Sequence, residues 1–201
     1  MGHVFVTAEL PEVDALTLTN IGQPFSELVR ANPDLRIERT AQGKVVVMAP
    51  AHSRSGLQNA MLTAALKFWS DRDRRGRAFD SSTGYDLPNG ANRSPDASWV
   101  LKSRLDKLTL DQREGYLPLA PDFVVELRSQ SDRLNTLKTK MEEYIANGSR
   151  LGWLIDPVNR NVLVYRPELE LEVLSAPATL YGDPELPKFE LELEEIWNPG
   201  F

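Results

Sequence analysis

Two acids stand on the two most strand-like stretches of the chain. In RSPDASWVL (93–101), alternation puts Ser94, Asp96, Ser98 and Val100 on one side and Pro95, Ala97, Trp99 and Leu101 on the other. In PDFVVELRS (121–129), Asp122, Val124, Glu126 and Arg128 share one side and Phe123, Val125 and Leu127 the other. The second stretch is apolar on both faces, the pattern of a strand covered on both sides. A carboxylate there is costly unless it is paired, hydrogen-bonded or bound to a cation. Each acid has a plain reading: Glu126 in a structural ion pair with Arg128 or a neighbouring arginine, Asp96 as a solvent-facing strand acid. Together on adjacent strands they allow a different one. Paired carboxylates in an oxygen-only setting suit Mg²⁺ or Mn²⁺. Such a cation acidifies a bound water and neutralises charge on a phosphoryl oxygen, while a nearby lysine positions that water or balances the growing charge.

The elements that must position these acids can be read from periodicity and punctuation. Residues 1–22 read as a loosely attached arm, and PFSELVRANPD (24–34) as a short helix that Pro24 opens and NPD ends. LRIERT and KVVVMAP make a hairpin with Gly43 in its turn. The clearest helix is 55–76, where Leu57, Met61, Leu62, Ala65, Leu66 and Trp69 recur at helical spacing and Gly76 closes it. A strand, turn and strand follow, then a brief helix over 108–116, then the apolar strand with Glu126, placed centrally. Residues 131–148 read as a helix capped by Ser131 or Asp132 and stopped by Gly148. RLGWLIDP and NVLVYRP form a second hairpin, and LEVLSAP and FELELEEIW complete the chain as strands. The expected class is a mixed α/β (α+β) single domain over 1–201, a central mixed sheet flanked by helices with extra C-terminal strands.

Composition removes several chemistries. The 201 residues hold no cysteine, so there is no thiolate nucleophile, disulfide framework or cysteine-bound metal. Two histidines, His3 and His52, are too few for a histidine-built zinc site. The net charge of −6 gives no global basic field, although local basic patches survive inside an acidic total. Nothing near the N-terminus has the apolar core of a signal peptide and no run approaches a membrane span, so the expected location is the cytoplasm. The tryptophans at 69, 99, 153 and 197 fall at periodic positions and read as core.

Pro95-Asp96 followed, thirty positions on from Asp96, by Glu126-Leu127-Arg128 has the form Pro-Asp…(Asp/Glu)-x-(Lys/Arg). With GKVVVMAP, FDSSTGYDLPNGANRSPDASWV, PLAPDFVVELRSQSD, KMEEYIANGSRLGWLIDP and VYRP in that order, the chain resembles the PD-(D/E)XK nuclease superfamily and, within it, the Uma family of restriction endonucleases. The resemblance implies a restriction-endonuclease-like core and Mg²⁺-dependent (or Mn²⁺-dependent) hydrolysis of DNA. It implies Asp96 and Glu126 as the metal-binding acids, with Glu38 of RIERT a further acid of the catalytic set. The family's lysine after the second acid is missing; Arg128 stands there, and an arginine stays protonated and cannot act as a base. By the resemblance Lys140 of KMEEY takes that lysine's place, and Glu38 otherwise reads as an exposed strand acid. The helical wheel does not choose: Lys138 and Lys140 fall on opposite borders of the stripe Leu134, Leu137, Met141, Tyr144, Ile145. Arg128, Arg93 and Arg133 are the expected phosphate contacts.

The expected activity is a Mg²⁺-dependent endodeoxyribonuclease. It would act as a homodimer, because cutting two antiparallel strands suits a twofold assembly, and Trp153, Tyr165 and Trp197 could serve that interface or the core. The absent in-line lysine motivates a second reading, a nucleic-acid-binding or interaction protein that keeps the fold without turnover. A third, a two-carboxylate glycosidase, would need the acids to flank a sugar-sized cleft without a metal.

Overall fold

The structure, a computed structural model, describes residues 15–18 and 24–200. The chain begins with β1 (Ala15–Leu18), α1 (Phe25–Ala31) and a hairpin of β2 (Arg36–Arg39) and β3 (Val45–Met48). The hairpin turn contains Gly43 at φ 81°, a left-handed conformation that glycine adopts without a steric penalty. Strand β1 pairs antiparallel with β3, so residues 15–18 of the expected arm form an edge strand. The rest of the arm, and Phe201, lie outside the described residues.

Helix α2 (Ser53–Asp73) is followed by β4 (Gly76–Asp80), β5 (Tyr85–Asp86), β6 (Asn92–Arg93) and β7 (Ala97–Leu101). Next come α3 (Lys102–Leu105), α4 (Leu110–Glu114), β8 (Phe123–Leu127), α5 (Leu134–Ala146), β9 (Leu151–Asp156) and β10 (Asn161–Tyr165). The chain ends in β11 (Glu172–Ser175), β12 (Thr179–Tyr181), β13 (Glu190–Glu192) and α6 (Glu194–Trp197). Among the described residues these form an antiparallel sheet in the order β1-β3-β2-β6-β5, a mixed sheet in the order β11-β10-β9-β8-β7-β4, and the pair β12-β13. The expected mixed sheet with flanking helices is therefore what the chain forms. Strands β8 and β9 run parallel, joined through α5, as parallel neighbours require a crossover.

The alternation in β8 decides how the mixed sheet is covered. Phe123, Val125 and Leu127 join Trp99, Trp153, Leu62, Leu66, Phe189 and Trp197 in one buried cluster beneath α2 and the C-terminal elements. Val124 joins Leu154, Leu163, Leu137, Met141 and Tyr144 in a second, beneath α5. All four tryptophans and Tyr165 are buried; Trp153, Tyr165 and Trp197 thus belong to the core and offer no surface for self-association. Among the described residues no helix is long and apolar enough to cross a membrane.

Three local expectations are corrected, and one element goes unsignalled. Gly76 does not stop α2: Arg74 takes the left-handed position after the helix, at φ 62°, and Gly76 opens β4. FELELEEIW is β13 followed by α6, because one turn of helix lets Ile196 and Trp197 bury. Helix α5 begins at Leu134 with Arg133 at its cap position and no side-chain cap; Asp132 instead accepts the Ser129 N–H at 2.8 Å. The residues after β7 form α3, which periodicity over so short a run does not signal.

Gly76 has its own reason to be glycine. A Cβ there would lie 2.3 Å from the Trp99 ring and 2.4 Å from the Val100 carbonyl oxygen. Neither the buried indole nor the backbone can yield. Gly76→Ala is expected to destabilise the fold by about 1–3 kcal/mol, the scale of core overpacking, read as a lower urea midpoint; an unchanged midpoint would contradict this packing.

Candidate active site

The pairing of β7 with β8 sets Ala97 opposite Val125. Continuing that register by one residue sets Asp96 opposite Glu126, at the ends of two adjacent strands. Both are buried, at 8% and 3% exposure. The Leu127 N–H donates to Asp96 Oδ2 at 2.8 Å, and Asn59 of α2 donates to Asp96 Oδ1 at 3.2 Å. The chain reaches this point by changing sheets. Strand β6 belongs to the antiparallel sheet and β7 to the mixed one, so Ser94, Pro95 and Asp96 span the gap. Proline suits such a crossing because it has no N–H to leave unpaired.

Glu38 comes from the other sheet. It is 3% exposed, so its reading as an exposed strand acid is corrected. The Ser94 N–H donates to Glu38 Oε1 at 2.9 Å. Of the two lysines the wheel left open, Lys140 lies against the acids: its Nζ is 2.9 Å from Glu38 Oε1 and 2.9 Å from Glu126 Oε1. One helical turn on, the Tyr144 hydroxyl donates to Glu126 Oε1 at 3.0 Å. Leu137, Met141 and Tyr144 press α5 onto the sheet, and this holds Lys140 over the strand ends.

Two of the arginines expected to meet phosphate are otherwise engaged. Arg93 donates to Glu38 Oε2 at 3.2 Å and also to Glu143. Arg128 pairs with Asp156 at 2.9 Å and donates to the Asp132 carbonyl. Arg133 is exposed at the start of α5. The residues that sequence reasoning missed are Tyr144, Asn59 and Arg36. Their signals were spacing: Tyr144 at i+4 from Lys140, and Arg36 two before Glu38 on the same strand face. Asn59 carries no such signal.

The charges in this cluster are unequal in their hold on protons. Burial drives the Glu126 carboxyl up to about 7, with Lys140 opposing and Asp96 and Glu38 adding to the rise. Burial also raises Glu38, but Lys140 and Arg93 outweigh it and hold the carboxyl below its usual value. Burial pulls Lys140 down, and Glu126 and Glu38 more than reverse this. Lys140 is thus a firm ammonium, Glu38 a firm carboxylate, and Glu126 the member that exchanges a proton near neutrality.

Asp96, Glu126, Lys140, Arg36, Asn59 and Ser129 are among the side chains around a cavity of about 140 Å³. A larger hollow of about 770 Å³ adjoins it, sharing Arg36, Asn59 and the segment 48–51. Two carboxylates meeting at one small cavity fit a hard divalent cation, which binds through one or two carboxylates and keeps several waters. The buried amide oxygen of Asn59, which has no hydrogen-bond partner, adds an acceptor beside Asp96. No group of three or more His, Cys, Asp or Glu side chains that could hold a metal occurs among the described residues, so Asp96 and Glu126 are the donors the fit depends on.

Comparison with known proteins adds a family and a fold. Residues 23–194 match the Uma2 family, described as "Putative restriction endonuclease". A solved structure, described as that of "a putative nuclease belonging to DUF820" from Anabaena variabilis ATCC 29413, superposes with a TM-score of 0.68 at 22% identity. The match covers 80% of this chain and 89% of that one. No curated protein is a significant match.

The raised Glu126 carboxyl has a consequence for stability in chelator. The unfolded chain gives up this proton near the ordinary value of 4.5 and the folded chain only near 7. The contribution of Glu126 to stability is therefore full below the lower value and lost as pH climbs to the upper one. Glu126→Gln cannot titrate, so its melting temperature relative to wild type should rise between pH 5 and pH 8 in EDTA. A difference that stays flat across that range would refute the assignment.

Proposed function

Given that the chain belongs to the Uma2 restriction endonuclease family, we propose that it hydrolyses DNA phosphodiester bonds at the cavity between Asp96, Glu126 and Lys140. The observation that carries this reading is the placement of Lys140, whose ammonium sits 2.9 Å from Glu126 Oε1 although it lies outside the strand that bears that acid. The sequence lacks a lysine at 128, and the helix supplies a cation to Glu126, the second of the two acids. This weakens the motive for a binding-only protein.

Asp96 and Glu126 would hold the Mg²⁺ or Mn²⁺. Bound there, the cation supplies Lewis-acid stabilisation of phosphoryl charge and lowers the pKa of water. The chain's own groups do the rest. The Leu127 N–H and the Asn59 amide fix the Asp96 carboxylate, while the Tyr144 hydroxyl and Lys140 orient Glu126. Lys140, kept protonated by two acids, donates to the attacking water or to a phosphoryl oxygen and takes no proton itself. Glu38 keeps Lys140 charged and aimed, and Arg93 braces Glu38. Twofold assembly is part of the proposal, since two antiparallel strands are to be cut; a monomeric mass at micromolar concentration would remove that part.

The test is cleavage of plasmid, linear duplex and single-stranded DNA in Mg²⁺, Mn²⁺ and EDTA. Turnover should require the cation and vanish in Asp96→Asn and Glu126→Gln. Lys140→Ala should lower it by a factor of about 10² to 10⁴, the scale of a positioned catalytic group, and Lys138→Ala should match wild type. An inert wild type that still binds DNA would restore the binding-only reading, and a dead Lys138→Ala beside an active Lys140→Ala would reject this lysine.

Separately, Mg²⁺ should raise the wild-type melting temperature by mass action and leave Asp96→Asn unmoved. Equal stabilisation of both proteins would place the cation elsewhere.

A further inference from the structure

Arg36 is committed differently from the arginines around it. Arg93 spends its donors on Glu38 and Glu143, and Arg128 on Asp156 and the Asp132 carbonyl. Arg36 lies on β2, two residues before Glu38, and faces the same way. Its Nη2 donates to the Ser94 carbonyl at 2.7 Å. That oxygen is neutral, so the anchor itself offsets none of the guanidinium's charge, and Asp96 faces it only at ion-pair distance. The approach of Nη2 to Asp96 Oδ1, at 3.7 Å, is longer than a charge-assisted hydrogen bond. The Nε is buried without a partner, and Nη1 makes no hydrogen bond among the described residues. The side chain is 32% exposed, and it borders both the small cavity with the acids and the larger hollow beside it.

We propose that Arg36 is the phosphate-gripping residue of this site, taking the non-bridging oxygens of the substrate phosphodiester that lies over Asp96 and Glu126. The location of that phosphate rests on the nuclease reading; the availability of the guanidinium does not. A planar fork of N–H donors matches two oxygens of one phosphate, which a lysine cannot do. The Ser94 carbonyl sets the direction of the fork from the residue just before Pro95-Asp96, so the group that grips the phosphate and the first acid are held by one short piece of backbone. Two of the three arginines expected from the sequence to meet phosphate are held in ion pairs, and Arg36, which the sequence did not single out, joins Arg133 beside them.

The test uses the full chain carrying Glu126→Gln, so that binding is read without turnover, with labelled single- and double-stranded oligonucleotides followed by fluorescence anisotropy. Adding Arg36→Gln should weaken binding roughly tenfold and reduce the slope of log K against log salt by about 0.7–0.9, the loss of one phosphate contact. Arg36→Lys should restore the slope and only part of the affinity. Calorimetric Mg²⁺ affinity of Arg36→Gln in the otherwise wild-type protein should be undiminished, which a residue that merely shaped Asp96 would not show. Equal affinity and slope with and without Arg36 would overturn the proposal. So would absence of oligonucleotide binding in the Glu126→Gln protein, or displacement of the oligonucleotide by equimolar inorganic phosphate. Arg36-dependent binding beside a wild type that cuts nothing would sink the nuclease reading alone.

Discussion

One ammonium group holds two sheets in register. Lys140 Nζ touches Glu38 from the antiparallel sheet and Glu126 from the mixed sheet, and without it both carboxylates would face each other in a nearly dry interior. Removing one partner of a buried charge cluster is expensive because the remaining charge has no compensation. Arg93 extends the arrangement by bridging Glu38 to Glu143, and that ties the next turn of α5, on the same side as Lys140, to the same acid. Position and protonation are therefore set together: the contacts that fix Lys140 also keep it charged and leave Glu126 as the carboxyl that yields.

The acids beside the strands are of two kinds, and their place between the sheets tells them apart. Asp122 accepts the Leu101 N–H at 2.9 Å and pairs with Arg104 at 3.0 Å. Asp156 accepts two turn N–H groups and the Asn159 amide and pairs with Arg128. These carboxylates are saturated by their surroundings and serve the ends of strands β7, β8 and β9. Asp96 and Glu38 also each accept a strand-end N–H, but they do so at the place where the chain passes from one sheet to the other. There the second sheet replaces solvent as their neighbour, and a cavity opens beside Asp96.

Much of this was legible in the sequence where the signal was periodic. Alternation placed Asp96 and Glu126 on one face, and helical spacing found α2 and α5. The apolar content of β8 put it inside the mixed sheet. What escaped were facts of tertiary closure. Glu38 read as exposed because its own strand has polar neighbours, and only the docking of β2 against Ser94 and α5 buries it. Arg93 and Arg128 read as phosphate contacts because charge alone does not reveal a partner 55 or 28 residues away. Gly76 read as a helix stop because glycine has two uses, conformational freedom and missing bulk, and sequence does not say which applies.

The lysine and the acid it serves are 102 residues apart along the chain. During synthesis the ribosome therefore releases Glu38 and Asp96 well before the helix that completes the cluster, and Glu126 only eight residues before that helix begins at Leu134. A chain still being translated, or cut by a protease before residue 140, carries the acids without the ammonium that joins Glu38 to Glu126. Incomplete and half-folded copies therefore lack the finished cluster.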